Sequence, residues 1–284
     1  MSAAGLNLSP VSAVMGAAIV GEDLSRPLTP DLIARTRQAF LDHHVLVFRD
    51  QRMSPENIYD LASIFGEVEQ HKVRQADGSR WDAVHQITNL DADGNPVEKP
   101  FFSSTYFWHT DKSFLQRPAL LTMLHAVELP PKGGDTQFAD MTRAYDALPT
   151  AMKQRLVGLR GIQSLEFMRR YTGSAPASED DIAAAPPVSH PLVRTHPETG
   201  HKSLYIGMYC SHIEGLPEDK GHQLVEELLA HATADRFVYS HAWKPGDLVF
   251  WDNRCLLHRA IANYEMGKYR RVLMRVVVKG SPPQ

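Results

Sequence analysis

Apolar residues recur at helical spacing in two segments near the start of the chain. The first covers residues 30–42, where Thr29 can cap a helix and Pro30 suits its first turn. The second begins at Ser54, again with a proline directly after the cap, and ends before Gly66. Residues 44–48 between them are almost continuously apolar, which predicts a buried strand. The front of the chain therefore predicts a helix, a strand and a second helix.

Further along, most apolar segments have the length and composition of strands. They lie at residues 120–129, near 204–206, and at 237–239, 247–251 and 272–278. Helical spacing returns in residues 141–157, with a break at Pro149, and in residues 218–232. Residues 72–106 are polar and rich in turns, which predicts a long loop.

Neither an internal repeat nor a linker divides the sequence, so we expect a single domain over residues 1–284. The fold class is mainly β with helices (α+β), and the pattern fits a barrel or jelly roll decorated by helices. We expect residues 72–106 to form a lid loop and residues 160–190 to hold an insertion. Its part at residues 174–187, rich in Ala, Ser, Asp and Pro, should be mobile. Both segments should set specificity.

Composition narrows the class of protein. Of the 284 residues, 43% are hydrophobic and 22% charged, as in ordinary globular proteins, and the net charge is −3. A nucleic-acid partner is not expected, because such binding needs a basic surface. No apolar stretch is long enough for a membrane helix, and the opening run lacks the features of a signal peptide. Cys210 and Cys255 form no CxxC pair, which favours a reduced, cytoplasmic protein.

The chain has 14 histidines, and three of them begin a His-x-Asp or His-x-Glu pair. The pairs begin at His109, His196 and His212. In a strand, residues two apart share a face, so His109 and Asp111 can converge on one metal ion. A second histidine from elsewhere would complete the two-His, one-carboxylate set of non-haem Fe(II) oxygenases. The simpler alternative is a strand histidine bonded to a neighbouring carboxylate. The long loop and the aromatic residues before His109 favour the metal pair.

A plausible distant partner is His258, which follows a predicted strand and a turn at Asp252-Asn253. Two arginines come next, Arg271 and Arg275, on one face of a further apolar strand. Buried arginines need anionic partners, and a guanidinium binds a carboxylate through two hydrogen bonds. Solvated arginines at a sheet edge are the alternative reading.

Several motifs, taken in order, resemble the Fe(II)/2-oxoglutarate dioxygenases of the taurine dioxygenase and aryloxyalkanoate (phenoxyacetate) dioxygenase family. The motifs are His109-Thr110-Asp111, Gly133-Gly134-Asp135-Thr136, Trp251-Asp252-Asn253-Arg254 with His258, and Arg271 with Arg275. The resemblance covers about residues 10–280. It implies a double-stranded β-helix, or jelly roll. It also implies that a small organic anion is hydroxylated while 2-oxoglutarate and O2 yield succinate and CO2.

The same resemblance assigns roles to residues. It implies that His109, Asp111 and His258 bind Fe(II), and that Thr136 and Arg271 bind the distal carboxylate of 2-oxoglutarate. Arg275 corresponds to the residue that binds the anionic head group of the substrate. The resemblance suggests further substrate contacts at His71, Thr105, His196, Tyr209 and His212. Thr105 stands where the taurine enzyme has an asparagine, so an aryloxyalkanoate-like carboxylate or a sulfonate other than taurine is the expected substrate. Relatives are often dimers or tetramers, which makes a homo-oligomer an expectation.

Other functions remain to be weighed against this one. A non-catalytic, cupin-like binding protein for a small organic acid would bind its ligand without producing succinate. A zinc hydrolase would need a motif such as HExxH, which the sequence lacks. No feature favours a purely structural or interaction module. The presence of all three ligand positions together with both arginines favours the dioxygenase.

Overall fold

The computed structural model describes residues 5–70, 73–74, 80–81, 83–98 and 103–284. His71 and parts of the predicted lid loop lie outside the described residues. Within them, the chain forms seven α-helices and two short 3-10 helices, at Ser103–Tyr106 and Asp235–Phe237. The α-helices are α1 (Pro30–His43), α2 (Pro55–Ser63), α3 (Met141–Asp146), α4 (Thr150–Leu156), α5 (Leu165–Tyr171), α6 (Glu179–Ala184) and α7 (Glu218–Ala232).

The described residues also form seventeen strands. Those before α3 are β1 (Leu8–Pro10), β2 (Ala17–Ile19), β3 (Val45–Phe48), β4 (Val73–Arg74), β5 (Arg80–Trp81), β6 (His85–Thr88), β7 (Ala119–Glu128) and β8 (Thr136–Asp140). Those after it are β9 (Arg160–Gln163), β10 (Val188–Pro191), β11 (Val193–Thr195), β12 (Lys202–Leu204), β13 (Cys210–Ile213), β14 (Val238–His241), β15 (Leu248–Asp252), β16 (Leu256–Ala260) and β17 (Val272–Lys279).

Local chemistry explains the helix ends that the sequence predicts. The Thr29 side chain accepts a hydrogen bond from the Leu32 amide, and α1 stops at His44, whose φ of 61° is left-handed. Ser54 and Asn57 form a reciprocal capping box at the start of α2. The break expected at Pro149 separates α3 from α4. These helices are confirmed within a few residues.

The loop expected at residues 85–88 is wrong, and the insertion expected at residues 160–190 has regular structure. Residues 85–88, placed in the predicted lid loop, form β6 and pair antiparallel with β17. Residues 160–190 contain β9, α5, α6 and most of β10, and α6 is capped by Ser178. The insertion and the mobility of its part at residues 174–187 stay predictions. The error at residues 85–88 has a physical cause. A short strand such as β6 acquires regular structure from a distant partner, and a local pattern does not show that partner.

Two sheets carry the architecture. The larger has the order β1-β2-β3-β15-β7-β17-β6, and its pairs are antiparallel except for β2 with β3. The smaller has the order β14-β8-β16 and is antiparallel throughout. Its register sets Thr136, the first residue of β8, between His241 of β14 and Ala260 of β16.

The two faces of the larger sheet pack against different partners. In β15, Leu248 and Phe250 belong to a core cluster with residues of α1 and α2, such as Phe40 and Ile58. The alternate residues Val249 and Trp251 belong to a second cluster with Phe138, Tyr239 and Leu256 of the smaller sheet. This alternation is the period of two that a strand imposes on its side chains. The space between the sheets is therefore an apolar layer.

A third apolar cluster joins α3 and α7 to β12, β13 and the residues around Trp108. It supports the outer side of the smaller sheet, since Ala139 and Leu257 belong to it. Among the described residues, no helix has the length and apolar character needed to span a bilayer.

Candidate active site

A cavity of about 210 Å³ opens where the two sheets face each other. The smaller sheet contributes Thr136, His258 and Ala260 to its wall, and the larger contributes Leu124, Trp251 and Arg275. The segment before β7 adds a polar edge that includes His109 and Asp111. The volume suits a small molecule rather than a macromolecule.

His109 and His258 are held side by side by the backbone. Each amide donates to the other residue's carbonyl, at 3.0 Å from His109 and 2.7 Å from His258. Asp111 follows two residues later. Its two carboxylate oxygens lie 3.8 Å from His109 Nε2 and 3.7 Å from His258 Nε2. The three side chains are buried, and their ligand atoms all lie within 4.8 Å of one another. We call His109, Asp111 and His258 the open cluster.

The protonation of the two imidazoles suits metal binding. His109 Nδ1 lies 2.7 Å from the Phe107 carbonyl, which assigns the ring proton to Nδ1 and leaves Nε2 as a ligand atom. Burial lowers the pKa of His109, and it lowers the pKa of His258 further. Both rings are therefore neutral near pH 7, as metal ligation requires.

Asp111 is held in its charged form. Burial alone would raise its pKa, but Arg275 and the two histidines outweigh that effect and hold the pKa well below its usual range. Arg275 Nη2 lies 2.6 Å from one carboxylate oxygen, and the Thr122 hydroxyl donates to the other at 2.5 Å. Asn253 Nδ2 in turn donates to Thr122 at 2.9 Å, which orients that hydroxyl toward the carboxylate.

The residues expected to bind 2-oxoglutarate lie together in the same cavity. Arg271 and Thr136 both line it. Arg271 is buried, and its Nε donates to the Gly134 carbonyl at 2.9 Å. A Cβ on Gly134 would come within 3.0 Å of the Arg271 side chain, and the φ of Gly134 is 73°. Glycine at this position therefore lets the loop approach the guanidinium closely.

A second group of the same residue types lies outside the cavity. Asp252 accepts two hydrogen bonds from the Arg254 side chain, at 2.8 and 2.7 Å, and one from His196 at 3.1 Å. Arg254 also contacts Glu198. We call His196, Glu198, Asp252 and Arg254 the closed cluster.

His44 and Cys255 approach Asp252 closely enough that the three could hold a metal ion by distance alone. However, both Asp252 oxygens already accept hydrogen bonds, and the Arg254 charge lies beside them. A dication there would have to displace a buried guanidinium. The arrangement therefore indicates a structural group rather than a metal site.

The structure separates the predicted substrate residues into three groups. Arg275, Thr105 and Tyr209 line the cavity. His196 does not, because its ring is buried in the closed cluster and bonded to Asp252; this position does not support the substrate role expected for it, which stays a prediction.

His212 is the other predicted substrate residue that lies away from the cavity. It lies outside the lining of the cavity, on the side of β13 that packs against α7. A Cβ at Gly221 of that helix would come within 3.2 Å of the His212 Cβ. His71 belongs to the third group and lies outside the described residues.

Several residues that line the cavity were not among the site residues predicted from the sequence; they are Lys112, Phe114 and His85. Lys112 follows Asp111 directly with a left-handed φ of 61°, and its Nζ lies 3.1 Å from Glu69. Phe114 and Tyr209 pack their rings with centroids 4.9 Å apart. His85 of β6 lies with its Nε2 3.4 Å from Arg275 Nη1. Adjacency to Asp111 was the only available signal for Lys112, and β6 and its pairing with β17 were not predicted.

Two imidazoles and one carboxylate, with open space on one side, form the ligand set of the non-haem Fe(II) oxygenases. Comparisons with known proteins agree with this assignment to the non-haem Fe(II) oxygenases. The profile of the taurine catabolism dioxygenase TauD, TfdA family matches residues 7–277. The chain therefore belongs to this family.

The chain is 43% identical over 244 residues to an alpha-ketoglutarate-dependent 2,4-dichlorophenoxyacetate dioxygenase of Burkholderia sp. (strain RASC), covering 83% of this chain and 82% of the relative. It is 32% identical to an (S)-phenoxypropionate/alpha-ketoglutarate-dioxygenase of Sphingobium herbicidovorans, covering 97% and 96%. A crystal structure of AAD-2 with Mn(II) and N-oxalylglycine superposes with a TM-score of 0.90 at 32% identity, covering 98% of this chain and 99% of that one.

These relatives confirm the family and the reaction class expected from the sequence. The chain is an oxidoreductase, a dioxygenase that uses Fe(II), 2-oxoglutarate and O2.

Proposed function

We propose that the open cluster binds Fe(II) and that the enzyme hydroxylates a small aryloxyalkanoate-like carboxylate. The observation that carries this proposal is the joint position of the open cluster, Arg271 and Arg275 in one cavity. The donor set fits Fe(II), because both rings are neutral and present a nitrogen toward an ionised carboxylate. When bound, the metal and 2-oxoglutarate supply the oxidising chemistry, and the protein binds, orients and shields the reactants.

Arg271 and Thr136 are assigned to the distal carboxylate of 2-oxoglutarate. Burial lowers the pKa of Arg271, yet an arginine stays protonated in a protein. None of the carboxylates in the described part of the chain forms an ion pair with it within 4.0 Å. A buried cation without an anion is costly, and a dicarboxylate cosubstrate would supply that anion.

Arg275 is assigned to the carboxylate of the substrate. Its side chain contacts Asp111 and is 14% exposed, so it can exchange its partner within the cavity. A metal ion on Asp111 would take over the neutralisation of that carboxylate, and Arg275 could then bind an incoming anion. Its bidentate geometry suits a carboxylate.

The aromatic part of the substrate is assigned to the wall formed by Phe114 and Tyr209. Leu165 and Met208 extend that wall, and Thr105 lies at its polar side. Burial raises the pKa of Tyr209, so its phenol remains neutral and able to donate a hydrogen bond. Two relatives with phenoxy acids in their names support this substrate class over a sulfonate.

The finer architecture is also part of the proposal. We assign the two packed sheets to the two walls of a double-stranded β-helix, in one domain, with the described helices outside it. The apolar cluster between the sheets and the likeness to the AAD-2 structure support this assignment. A lid role for residues around 72–106 and a homo-oligomeric state stay predictions.

The test is an anaerobic titration of the metal-free protein with Fe(II) and 2-oxoglutarate, followed by the visible absorption band of a chelated keto acid. We expect the band in the wild type and in His201→Ala, which changes an exposed histidine. We expect none in His258→Ala. Phenoxyacetate should then perturb the band and be oxidised when O2 is admitted, with one succinate formed per turnover. Binding of phenoxyacetate without succinate would instead indicate a non-catalytic binding protein.

A further inference from the structure

Thr136 receives a hydrogen bond from a residue that the proposed mechanism does not use. Trp243 lies two residues beyond the end of β14, and the last residue of that strand, His241, is paired with Thr136. This register brings the indole over the start of β8. Trp243 Nε1 donates to Thr136 Oγ1 at 3.0 Å.

The direction of this bond is fixed, because an indole N–H is a donor only. It occupies one lone pair of the Thr136 hydroxyl, and the hydroxyl has a single proton to donate elsewhere. None of the described residues accepts that proton, and Thr136 lines the cavity beside Arg271. The hydroxyl is therefore prepared to donate to an anion that enters the cavity.

The indole of Trp243 packs against a second side chain, His241. Its ring meets the His241 ring edge-on, with centroids 4.7 Å apart. His241 Nε2 lies 3.1 Å from Asp247, which also accepts from Arg49 at 2.7 Å and from the Lys244 amide at 2.9 Å. The turn that carries Trp243 is thus tied to the buried ends of β14 and β15.

We propose that Trp243 is a positioning residue for 2-oxoglutarate, acting through the hydroxyl of Thr136. The inference rests on the proposed function, since it takes Thr136 as a contact of the cosubstrate. Arg271 is oriented through the carbonyl of Gly134, and Thr136 is oriented through Trp243. Both donors then face the cosubstrate carboxylate before it arrives, which reduces the entropy lost on binding.

The experiment measures 2-oxoglutarate binding to the Fe(II)-loaded protein by anaerobic calorimetry, in four forms of the chain. These are the wild type, Trp243→Phe, Thr136→Val and the double variant. Trp243→Phe keeps an aromatic ring but removes the N–H. We expect it to raise the dissociation constant about fivefold to tenfold, as for loss of one oriented hydrogen bond. The KM for 2-oxoglutarate should rise by a similar factor while kcat changes little.

The double-mutant cycle separates positioning from packing. If Trp243 acts through the Thr136 hydroxyl, Trp243→Phe should have no further effect in the Thr136→Val background. Gln137→Leu is the matched control. It removes a 2.9 Å hydrogen bond to Arg259 on the neighbouring residue of β8 and should leave 2-oxoglutarate affinity unchanged.

Three results would overturn the inference, and they differ from one another. Unchanged affinity in Trp243→Phe, with a wild type that binds, refutes the role of Trp243 and leaves the proposed function standing. Additive effects in the cycle show that Trp243 acts by shape alone. A metal-loaded wild type that does not bind 2-oxoglutarate removes the proposed function and the inference together.

Discussion

The open and closed clusters both place histidine beside a buried aspartate that also contacts an arginine, but they do so in different ways. In the closed cluster, the carboxylate of Asp252 accepts hydrogen bonds from Arg254 and His196, and the Arg254 side chain is 3% exposed. In the open cluster, the histidine nitrogens approach Asp111 no closer than 3.7 Å, which is too long for a hydrogen bond. Both Asp111 oxygens accept bonds from Arg275 and Thr122, but no hydrogen bond among the described residues occupies the Nε2 atoms of His109 and His258. Two imidazole nitrogens left without a partner beside a cavity mark a site for a ligand, whereas the His196 ring nitrogen is already bonded to Asp252.

The electrostatics of the two clusters do not distinguish them. Burial raises the pKa of Asp111 and of Asp252, and in both cases neighbouring cations reverse the effect and lower the pKa well below its usual range. A perturbed pKa is therefore found in a structural ion pair as well as at a functional site. Geometry separates the two clusters. Variants in the open cluster should mainly reduce activity, and variants in the closed cluster should mainly reduce stability.

The largest effect on activity is expected from His258→Ala in the open cluster. Removal of one of three proposed metal ligands should reduce succinate formation to background, because the remaining pair binds metal weakly. The metal-free variant should still fold, because the His258 Nδ1 atom has no hydrogen-bond partner among the described residues and the change removes only ring contacts such as those with His109 and Trp251. Succinate assays and thermal melts of metal-free protein measure the two effects. Wild-type turnover in this variant would contradict the assignment.

The largest effect on stability is expected from Arg254→Met in the closed cluster. The change leaves the Asp252 carboxylate buried without its cation, which should lower the free energy of unfolding by about 3–5 kcal/mol. Urea unfolding measures the loss. The molecules that remain folded should bind Fe(II) and 2-oxoglutarate as the wild type does, and a selective loss of metal binding without loss of stability would reverse the roles of the two clusters.

Arg275→Gln is the matching change beside the open cluster, at the arginine that contacts Asp111. We expect the KM for the carboxylate substrate to rise by roughly 10- to 100-fold, as for loss of a charge-assisted hydrogen bond. Stability should change much less than in Arg254→Met, because Arg275 is more exposed and borders the cavity. Steady-state kinetics and urea unfolding measure the pair of effects. An unchanged KM would remove Arg275 from the substrate site.

The pH dependence of stability should also reveal the closed cluster. The pKa of Asp252 is lower in the folded chain than in the unfolded chain, where it is near 3.8. The stability that the ionised Asp252 contributes is therefore fully present above pH 3.8 and is lost as the pH falls toward the pKa of the folded chain. In Asp252→Asn this dependence should disappear. The slope of unfolding free energy against pH below that value should then be smaller by up to about 1.4 kcal/mol per pH unit. Parallel curves for the two proteins would show that Asp252 is not the group concerned.

The smallest effect is expected from Glu198→Gln. Glu198 contacts Arg254, but its side chain is 38% exposed, and water screens the pair. We expect a loss of at most about 1 kcal/mol, or about 2–4 °C in Tm. A loss as large as that of Arg254→Met would show that the closed cluster depends on Glu198 as much as on Asp252.

Helix ends were the part of the fold that could be read most directly from the sequence. The caps at Thr29 and Ser54 act within three residues, and the structure confirms both. β6 was missed because its formation depends on pairing with β17, which lies far away in the chain. α6 was not predicted although it has a local signal, the reciprocal capping box that Ser178 and Asp181 form at its start.

For the site, the sequence alone determined the family and the reaction class. The order of its motifs also identified His109, Asp111 and His258 as one candidate ligand set. The context and the resemblance also singled out His109 and Asp111 among the three His-x-acid pairs, but they did not show where the other two pairs lie. His109 is paired with His258 across two segments, whereas His196 is bonded to Asp252 and His212 lies against α7. A spacing of two residues fixes only a shared direction along a strand. The tertiary structure decides what lies in that direction, because burial and the available hydrogen-bond partners are set by distant parts of the chain.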